Sequence, residues 1–283
     1  MDRTGKGIVL ITGASSGIGQ VCASYLVEDG YTVYGTYRSS KPPSSQNPPH
    51  QQAEAGSLTM LHMNVNDEIS VRQGIQSILE VEHCIDVVIN SAGYALAGAL
   101  EDTTVKEAKA LFETNLWGIH RVCREVLPTM REQRSGLIIM ISSIAGQVSL
   151  PFQSFYCASK FALDAMAEAL RMEVRGYGIH VVLIQPGDLA TQFTAKRQFA
   201  QSSKVDSAYS VEFAKALEII EYEEIHGHCP ESVARVVRKI MRKSSPRVRY
   251  CVGSPLQKSS IWLKKVLPSK VFEWIIMKFY KVT

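Results

Sequence analysis

Cysteine is scarce and scattered in this sequence. The six cysteines, at positions 22, 84, 123, 157, 229 and 251, form no C-x-x-C pair and no cluster with histidine. That spacing argues against a bound metal and against a disulfide framework, and reduced thiols in an intracellular protein are the simplest reading. Concentrated positive charge is also missing. The net charge is +4 and the basic residues are dispersed through the body, so there is no stripe to track a nucleic acid. No repeat of solenoid period is present. The first apolar strand starts almost at once, leaving no room for a leader, so synthesis into the cytosol is expected.

What is present is a full-sized core. With 283 residues and 46% hydrophobic content, the chain suits one α/β unit with additions. Strand-like segments at Ile8 to Ile11, Thr32 to Tyr37, Leu58 to His62, Ile85 to Ile89, Leu137 to Ile141 and His180 to Gln185 alternate with helical patterns. Several are continuous apolar runs, as in parallel strands covered on both faces. The expected fold is a doubly wound parallel sheet of Rossmann type with helices on both faces. Residues 1–257 form the expected catalytic domain, and 258–283 a C-terminal helical extension.

The strand Gly7 to Ile11 runs into Thr12-Gly13-Ala14-Ser15-Ser16-Gly17-Ile18-Gly19, after which Val21, Cys22, Tyr25 and Leu26 take helical spacing. A glycine turn at a strand-to-helix junction presents free N–H groups and a helix dipole to a pyrophosphate, and lets the backbone approach it. A tight turn without a ligand is the alternative. The next strand ends in Tyr37-Arg38, where folds using NAD place an acid for the ribose 2′-hydroxyl. A guanidinium there pairs with a 2′-phosphate, which favours NADP(H); a solvated loop charge is the alternative.

Tyr156 and Lys160 stand four residues apart, one face of a helix, with Ser143 thirteen residues before the tyrosine. An ammonium beside a phenol favours the phenolate, so the pair suits proton transfer at a carbonyl oxygen. Such a pair also occurs by chance on helix surfaces.

Six motifs in order carry a family resemblance. They are Thr12 to Gly19, Asn90-Ser91-Ala92-Gly93, Thr114-Asn115, Ile141-Ser142-Ser143, Tyr156 with Lys160, and Pro186-Gly187 followed by Thr191. The chain resembles a single-domain short-chain dehydrogenase/reductase to about residue 195. The segments Leu150-Pro151-Phe152 and Tyr156 to Leu163 are similar to the 17β-hydroxysteroid and retinol dehydrogenase branch. The resemblance implies Tyr156 as acid/base and Ser143 as donor to the substrate oxygen. It implies Lys160 on the nicotinamide ribose and Asn115 holding a relay water behind it. Gly13, Ser15, Ser16, Gly17, Ile18, Gly19, Arg38, Asn64, Val65, Asn90, Ala92, Gly93, Pro186, Gly187 and Thr191 would hold the cofactor with Tyr156 and Lys160. Two departures, Ser91 for asparagine and Asn64 for aspartate, leave the chemistry untouched. A homo-oligomer through the helices around Asn115 and Tyr156 is implied by analogy. A scaffold that lost catalysis would be expected to lack the tyrosine, lysine or serine.

Residues 39–57, with Pro42-Pro43 and Pro48-Pro49, are expected to be a mobile loop: a flap over the adenosine end or an inert insertion. Residues 192–228 fit a substrate lid. Within it, Ala208 to Glu224 is predicted helical with Val211, Ala214, Leu217 and Ile219 or Ile220 as the apolar side, facing either a lipophilic substrate or the core. His226 and His228 are expected to be structural. Proline opens a further helix over 230–242. The tail is apolar at Ile261-Trp262-Leu263, Val271-Phe272, Ile275-Ile276 and Phe279, with Trp274 beside them, but interrupted by Lys264, Lys265, Pro268, Lys270 and Glu273, too much so to span a bilayer. It packs on protein, or lies in a membrane interface through 261–280. The expected activity is NADP(H)-dependent interconversion of an alcohol and a ketone or aldehyde on a lipophilic substrate, such as a steroid or retinoid. A 3-oxoacyl or other lipid ketone is the alternative substrate. The protein is expected in the cytoplasm, at its membrane face if the tail binds lipid.

Overall fold

Why the strands read as unbroken apolar runs is evident in the computed structural model, which describes residues 6–39, 56–191, 194–204 and 207–282. The chain runs β1 (Ile8–Thr12), α1 (Gly17–Glu28), β2 (Thr32–Tyr37), β3 (Ser57–His62), α2 (Glu68–Glu82), β4 (Val87–Asn90), β5 (Leu96–Ala97) and α3 (Val105–Phe112). It continues with α4 (Gly118–Gln133), β6 (Gly136–Ile141), α5 (Ser154–Val174), β7 (Ile179–Pro186), β8 (Gln198–Phe199), α6 (Ser210–Ile225), α7 (Glu231–Met241), β9 (Arg249–Val252), α8 (Pro255–Val266) and α9 (Ser269–Phe279). Seven strands form one parallel sheet in the order β3-β2-β1-β4-β6-β7-β9, with β5 and β8 paired apart from it.

Successive strand side chains point to opposite faces. Ile8 and Leu10 of β1, Ile138 and Met140 of β6, and Val181 and Leu183 of β7 therefore join one core with α2, α4 and α5. Val9 and Ile11, Ile139 and Ile141, and Val182 and Ile184 join a second core with α1 and α7. Both faces are covered, as the expected doubly wound fold requires. The strand order reverses between β1 and β4, whose registers pair Thr12 with Asn90. That switch point opens the crevice where such sheets bind ligands.

Several expectations need adjusting. The fourth strand is Val87–Asn90 rather than 85–89; just before it Asp86 N donates to Ile8 O and Asp86 O accepts from Leu137 N, both at 3.0 Å, while the Asp86 carboxylate accepts from Ile8 N at 2.7 Å. In α6 the buried face is Phe213, Ala216, Ile220 and Glu224; of the predicted stripe Ile220 is buried and Leu217 half-buried, but Val211 and Ala214 are exposed, so the stripe is rotated toward Phe213. Phe213 wins the inward position by packing against Phe152 and Phe199, at ring-centre distances of 5.4 and 6.3 Å. The tail forms two helices, broken where Pro268 removes a donor. A Ser254–Gln257 capping box starts α8. Ile261, Leu263 and Ile276 pack around buried Phe272 against Ile144 and Val148, so one side of the tail rests on the body. Among the described residues no helix is long and apolar enough to cross a membrane. The loop expected at 39–57 lies almost wholly outside the described residues.

Candidate active site

Glycine at the end of β1 is dictated by crowding. Gly13 takes φ 68°, and a Cβ at Gly19 would sit 2.5 Å from the Gly13 carbonyl oxygen. Side chains are thereby kept out of the turn, and the start of α1 comes close under it. Thr12 Oγ1 accepts from the backbone N–H groups of Ser91 and Ala92 at 3.0 and 3.2 Å, fixing the second motif beside the first. Thr36 Oγ1 accepts from Gly13 N at 3.2 Å and holds the end of β2 there too.

These pieces line one cavity of about 630 Å³ that continues to the catalytic residues and the tail. Its walls include Gly13, Ser15, Ser16, Gly17, Ile18, Arg38, Asn64, Val65, Ala92, Gly93, Ser143, Tyr156, Lys160, Pro186, Gly187 and Thr191. Three expected residues are not on the wall. Gly19 lies beneath the turn. Asn90 is buried, with its amide nitrogen 3.9 Å from Cys123 Sγ. Asn115 sits behind Gly93, on a π-helical turn (Glu113–Trp117) between α3 and α4. Its Nδ2 donates to Tyr94 O at 3.0 Å and Ser159 Oγ at 3.3 Å, while its Oδ1 accepts from Tyr94 N at 3.1 Å. A Cβ on Gly93 would stand 3.1 Å from Asn115 Oδ1 and 4.0 Å from Lys160 Nζ, so asparagine and lysine flank the same glycine.

Tyr156 and Lys160 share a buried face of α5 as the spacing predicts. Lys160 Nζ lies 5.8 Å from the centre of the Tyr156 ring and donates to Ile141 O at 3.0 Å. The expected lowering of the phenol does not follow. Burial pushes Tyr156 above its ordinary value, a hydrogen bond with Ser143 opposes that, and Cys157, Glu224 and Asp188 add to it. Burial also lowers Lys160 to about 8, against the opposing pull of Asp164. Desolvation disfavours the charged form of each group, and the lysine's hydrogen bond goes to a backbone carbonyl. Ser143 caps a short 3₁₀ turn (Ile144–Gly146): its Oγ accepts from Ala145 N at 3.1 Å and donates to Pro186 O at 3.3 Å. Ser143 and Tyr156 thus converge where a carbonyl oxygen would sit. Cys157 Sγ accepts from Leu150 N at 3.3 Å, a packing position.

Of the remaining walls, the sequence offers Ile220 to a substrate but does not place the tail or the carboxylates there. Leu150, Ile220, Leu263, Phe272, Ile275 and Phe279 give an apolar chamber, and Asp188, Glu223 and Glu224 add carboxylates. Burial raises Asp188 to about 7, reinforced by Glu224 and Glu223 and opposed by a hydrogen bond from Gln257. Buried Arg197 pairs with Glu224. Lys196, shortly before β8, donates to Ser16 Oγ in the glycine turn at 2.8 Å. A lysine five residues after Thr191 was the only sequence signal for it. The His226 ring bonds to Tyr222 O at 2.8 Å, a structural role as expected, and the His228 backbone N–H donates to Asp188 O.

Residues 7–202 match the family model described as short chain dehydrogenase. The chain is 40% identical over 275 residues to a 3-ketodihydrosphingosine reductase of Bacteroides thetaiotaomicron, covering 97% of this chain and 98% of that one. It is 34% identical over 268 residues to estradiol 17-beta-dehydrogenase 1 of Rattus norvegicus, covering 88% and 74% respectively. A solved short-chain dehydrogenase from Streptomyces avermitilis superposes with a TM-score of 0.80 at 27% identity, over 98% of both chains.

Proposed function

The chain belongs to the short chain dehydrogenase family, and from that premise we propose that it is an NADP(H)-dependent reductase of a lipophilic ketone. The observation that carries this reading is the Ser143–Tyr156 hydrogen bond, with Lys160 one turn on, inside the cavity that begins at the glycine turn. The family binds nicotinamide cofactors. When bound, the reduced nicotinamide supplies a hydride to the carbonyl carbon.

The crowded glycine turn, the Thr12 clasp on Ser91 and Ala92, and the groove along Asn64 and Val65 fit such a cofactor. Arg38 on the groove wall, with no acid beside it in Tyr37-Arg38-Ser39, supports the 2′-phosphate form. Tyr156, held protonated by burial, donates its proton to the carbonyl oxygen as negative charge develops there. Ser143 donates a second hydrogen bond to the same oxygen. Lys160 holds the ribose hydroxyls and passes a proton to Tyr156, with Asn115 positioning a water behind it.

The substrate is a long-chain lipid ketone in this reading. The relative named as a 3-ketodihydrosphingosine reductase matches over 97% of this chain, and the tail supplies apolar residues to the cavity wall. A steroid is the second reading, supported by the estradiol dehydrogenase match. A homodimer through α4 and α5 belongs to the same proposal; Trp117 beside α4 and Met172 on α5 are exposed.

The test is Tyr156→Phe, with NADPH oxidation followed on long-chain ketones and steroids. Turnover should fall about 10²–10⁴-fold with NADPH binding retained. Substantial residual activity would falsify the mechanism.

A further inference from the structure

The two tail helices carry the same outward pattern twice, twelve residues apart. Lys258, Trp262 and Val266 on α8 correspond to Lys270, Trp274 and Lys278 on α9. Spacings of four place each trio on one helix face, and Lys265 and Met277 fall between its members on that face. The opposite faces are the packed ones: Gln257, Ser260, Leu263 on α8 and Phe272, Ile276 on α9 turn toward the cavity and the core. The outward faces are bare. Trp262 is 62% exposed and Trp274 61%, and Val266, Val271 and Met277 are exposed as well.

Charge separates this surface from the rest of the molecule. Residues 255–283 hold six lysines and one glutamate, a net +5, whereas the whole chain is +4. The remaining 254 residues are therefore net −1. Lys264 is the exception in orientation, since it turns back to donate to Gln147 O and stands over Phe161. Lys258, Lys265, Lys270, Lys278 and Lys281 are exposed, and Lys278 lies 5.6 Å over the Trp274 ring. Tryptophan with lysine on a short amphipathic helix suits the headgroup layer, where the indole has an apolar body and a polar N–H and the ammonium meets lipid phosphate.

The same helices form the cavity rim. Leu256 and Phe279 line the cavity and are also 63% and 39% exposed, so they stand where it meets the surface. We propose that the outward face of α8 and α9 docks on an anionic phospholipid bilayer, seating the rim of the substrate cavity at the membrane surface. A lipophilic ketone then passes from lipid to Tyr156 without crossing water. Docking stands on the tail alone; substrate transfer also rests on the function proposed above.

The experiment uses the full chain with phosphatidylcholine vesicles, with and without phosphatidylglycerol. Co-sedimentation should appear only with the anionic lipid and fall as salt shortens the Debye length from about 10 Å at 0.1 M to about 3 Å at 1 M. Replacing Lys258, Lys265, Lys270 and Lys278 by glutamine should weaken partition about fivefold per lysine. Trp262→Ala with Trp274→Ala should also abolish retention and the blue shift of fluorescence on lipid. Both variants should still reduce a water-soluble ketone at the wild-type rate, since none of these residues lines the cavity. That readout separates failure of docking from failure of the reductase reading. Three results overturn the proposal: no sedimentation of the wild type with anionic vesicles, retention unchanged in either variant, or a shift of either variant from dimer to monomer by light scattering. The last would make the face a contact between copies of this chain.

Discussion

Gln257 occupies the space that Gly187 leaves: a Cβ on that glycine would come 2.1 Å from Gln257 Oε1. Its Nε2 donates to the Asp188 carboxylate at 2.5 Å while Oε1 accepts from Ser254 N at 3.0 Å. One side chain therefore caps α8 and ties it to the loop after β7. Gln257→Ala removes a bond to the half-buried Asp188 carboxylate, a loss of about 1–3 kcal/mol. We expect that drop in urea denaturation together with a raised KM for cofactor, because the 186–191 loop lines its groove. Unchanged stability with unchanged KM counts against the tie.

Asp188 makes the cofactor-free protein sensitive to pH. Its carboxyl rises from the ordinary 3.8 to about 7, chiefly through burial. The folded state then holds the proton more tightly than the unfolded chain. This contribution to stability is fully present below about pH 4 and is lost as pH rises to about 7. Asp188→Asn should flatten the decline between pH 5 and 8, by an amount on the order of 2 kcal/mol. Denaturation midpoints of both proteins at pH 5 and 8 measure it; parallel slopes overturn the assignment.

Two cations line the cavity beside the glycine turn. Arg38 follows β2, and Lys196 donates to Ser16 Oγ. Arg38→Ala should cost NADPH about 10–100-fold in kcat/KM, the loss of one charge-assisted contact, and leave NADH nearly unchanged. Lys196→Ala should raise KM for both cofactors, because Ser16 lies at the pyrophosphate turn common to both. Equal losses for NADPH and NADH in Arg38→Ala would exclude a 2′-phosphate contact.

What was legible in the sequence was local. The glycine turn, Arg38, Ser143 and the Tyr156–Lys160 pair each occupy a short segment whose chemistry depends on spacing along one strand end or helix face. Continuous apolar strands also announced a sheet covered on both sides. The cavity's far wall was not legible, because Asp188 and Gln257 are 69 residues apart and their contact depends on how two glycines pack. The phenol's shift was misjudged for a related reason: an i, i+4 neighbour is visible in sequence, but burial outweighs it and is set by the whole fold. Asn90 was placed on the cofactor by motif, yet its side chain turns toward Cys123 in the core.

The rotation of α6 gives a direct test of its packing. Helical spacing alone allows two apolar stripes on Ser210–Ile225, one through Val211 and Ala214 and one through Phe213, Ala216 and Ile220. Phe152 and Phe199 decide between them by meeting Phe213, and Phe199 belongs to β8, which pairs with β5. Phe213→Ala should therefore cost about 3 kcal/mol and raise KM for the ketone, since Ile220 on the same face lines the cavity. Val211→Ala, at an exposed site, should stay within about 0.5 kcal/mol. Denaturation midpoints that reverse this order would show that the helix presents its other face to the body.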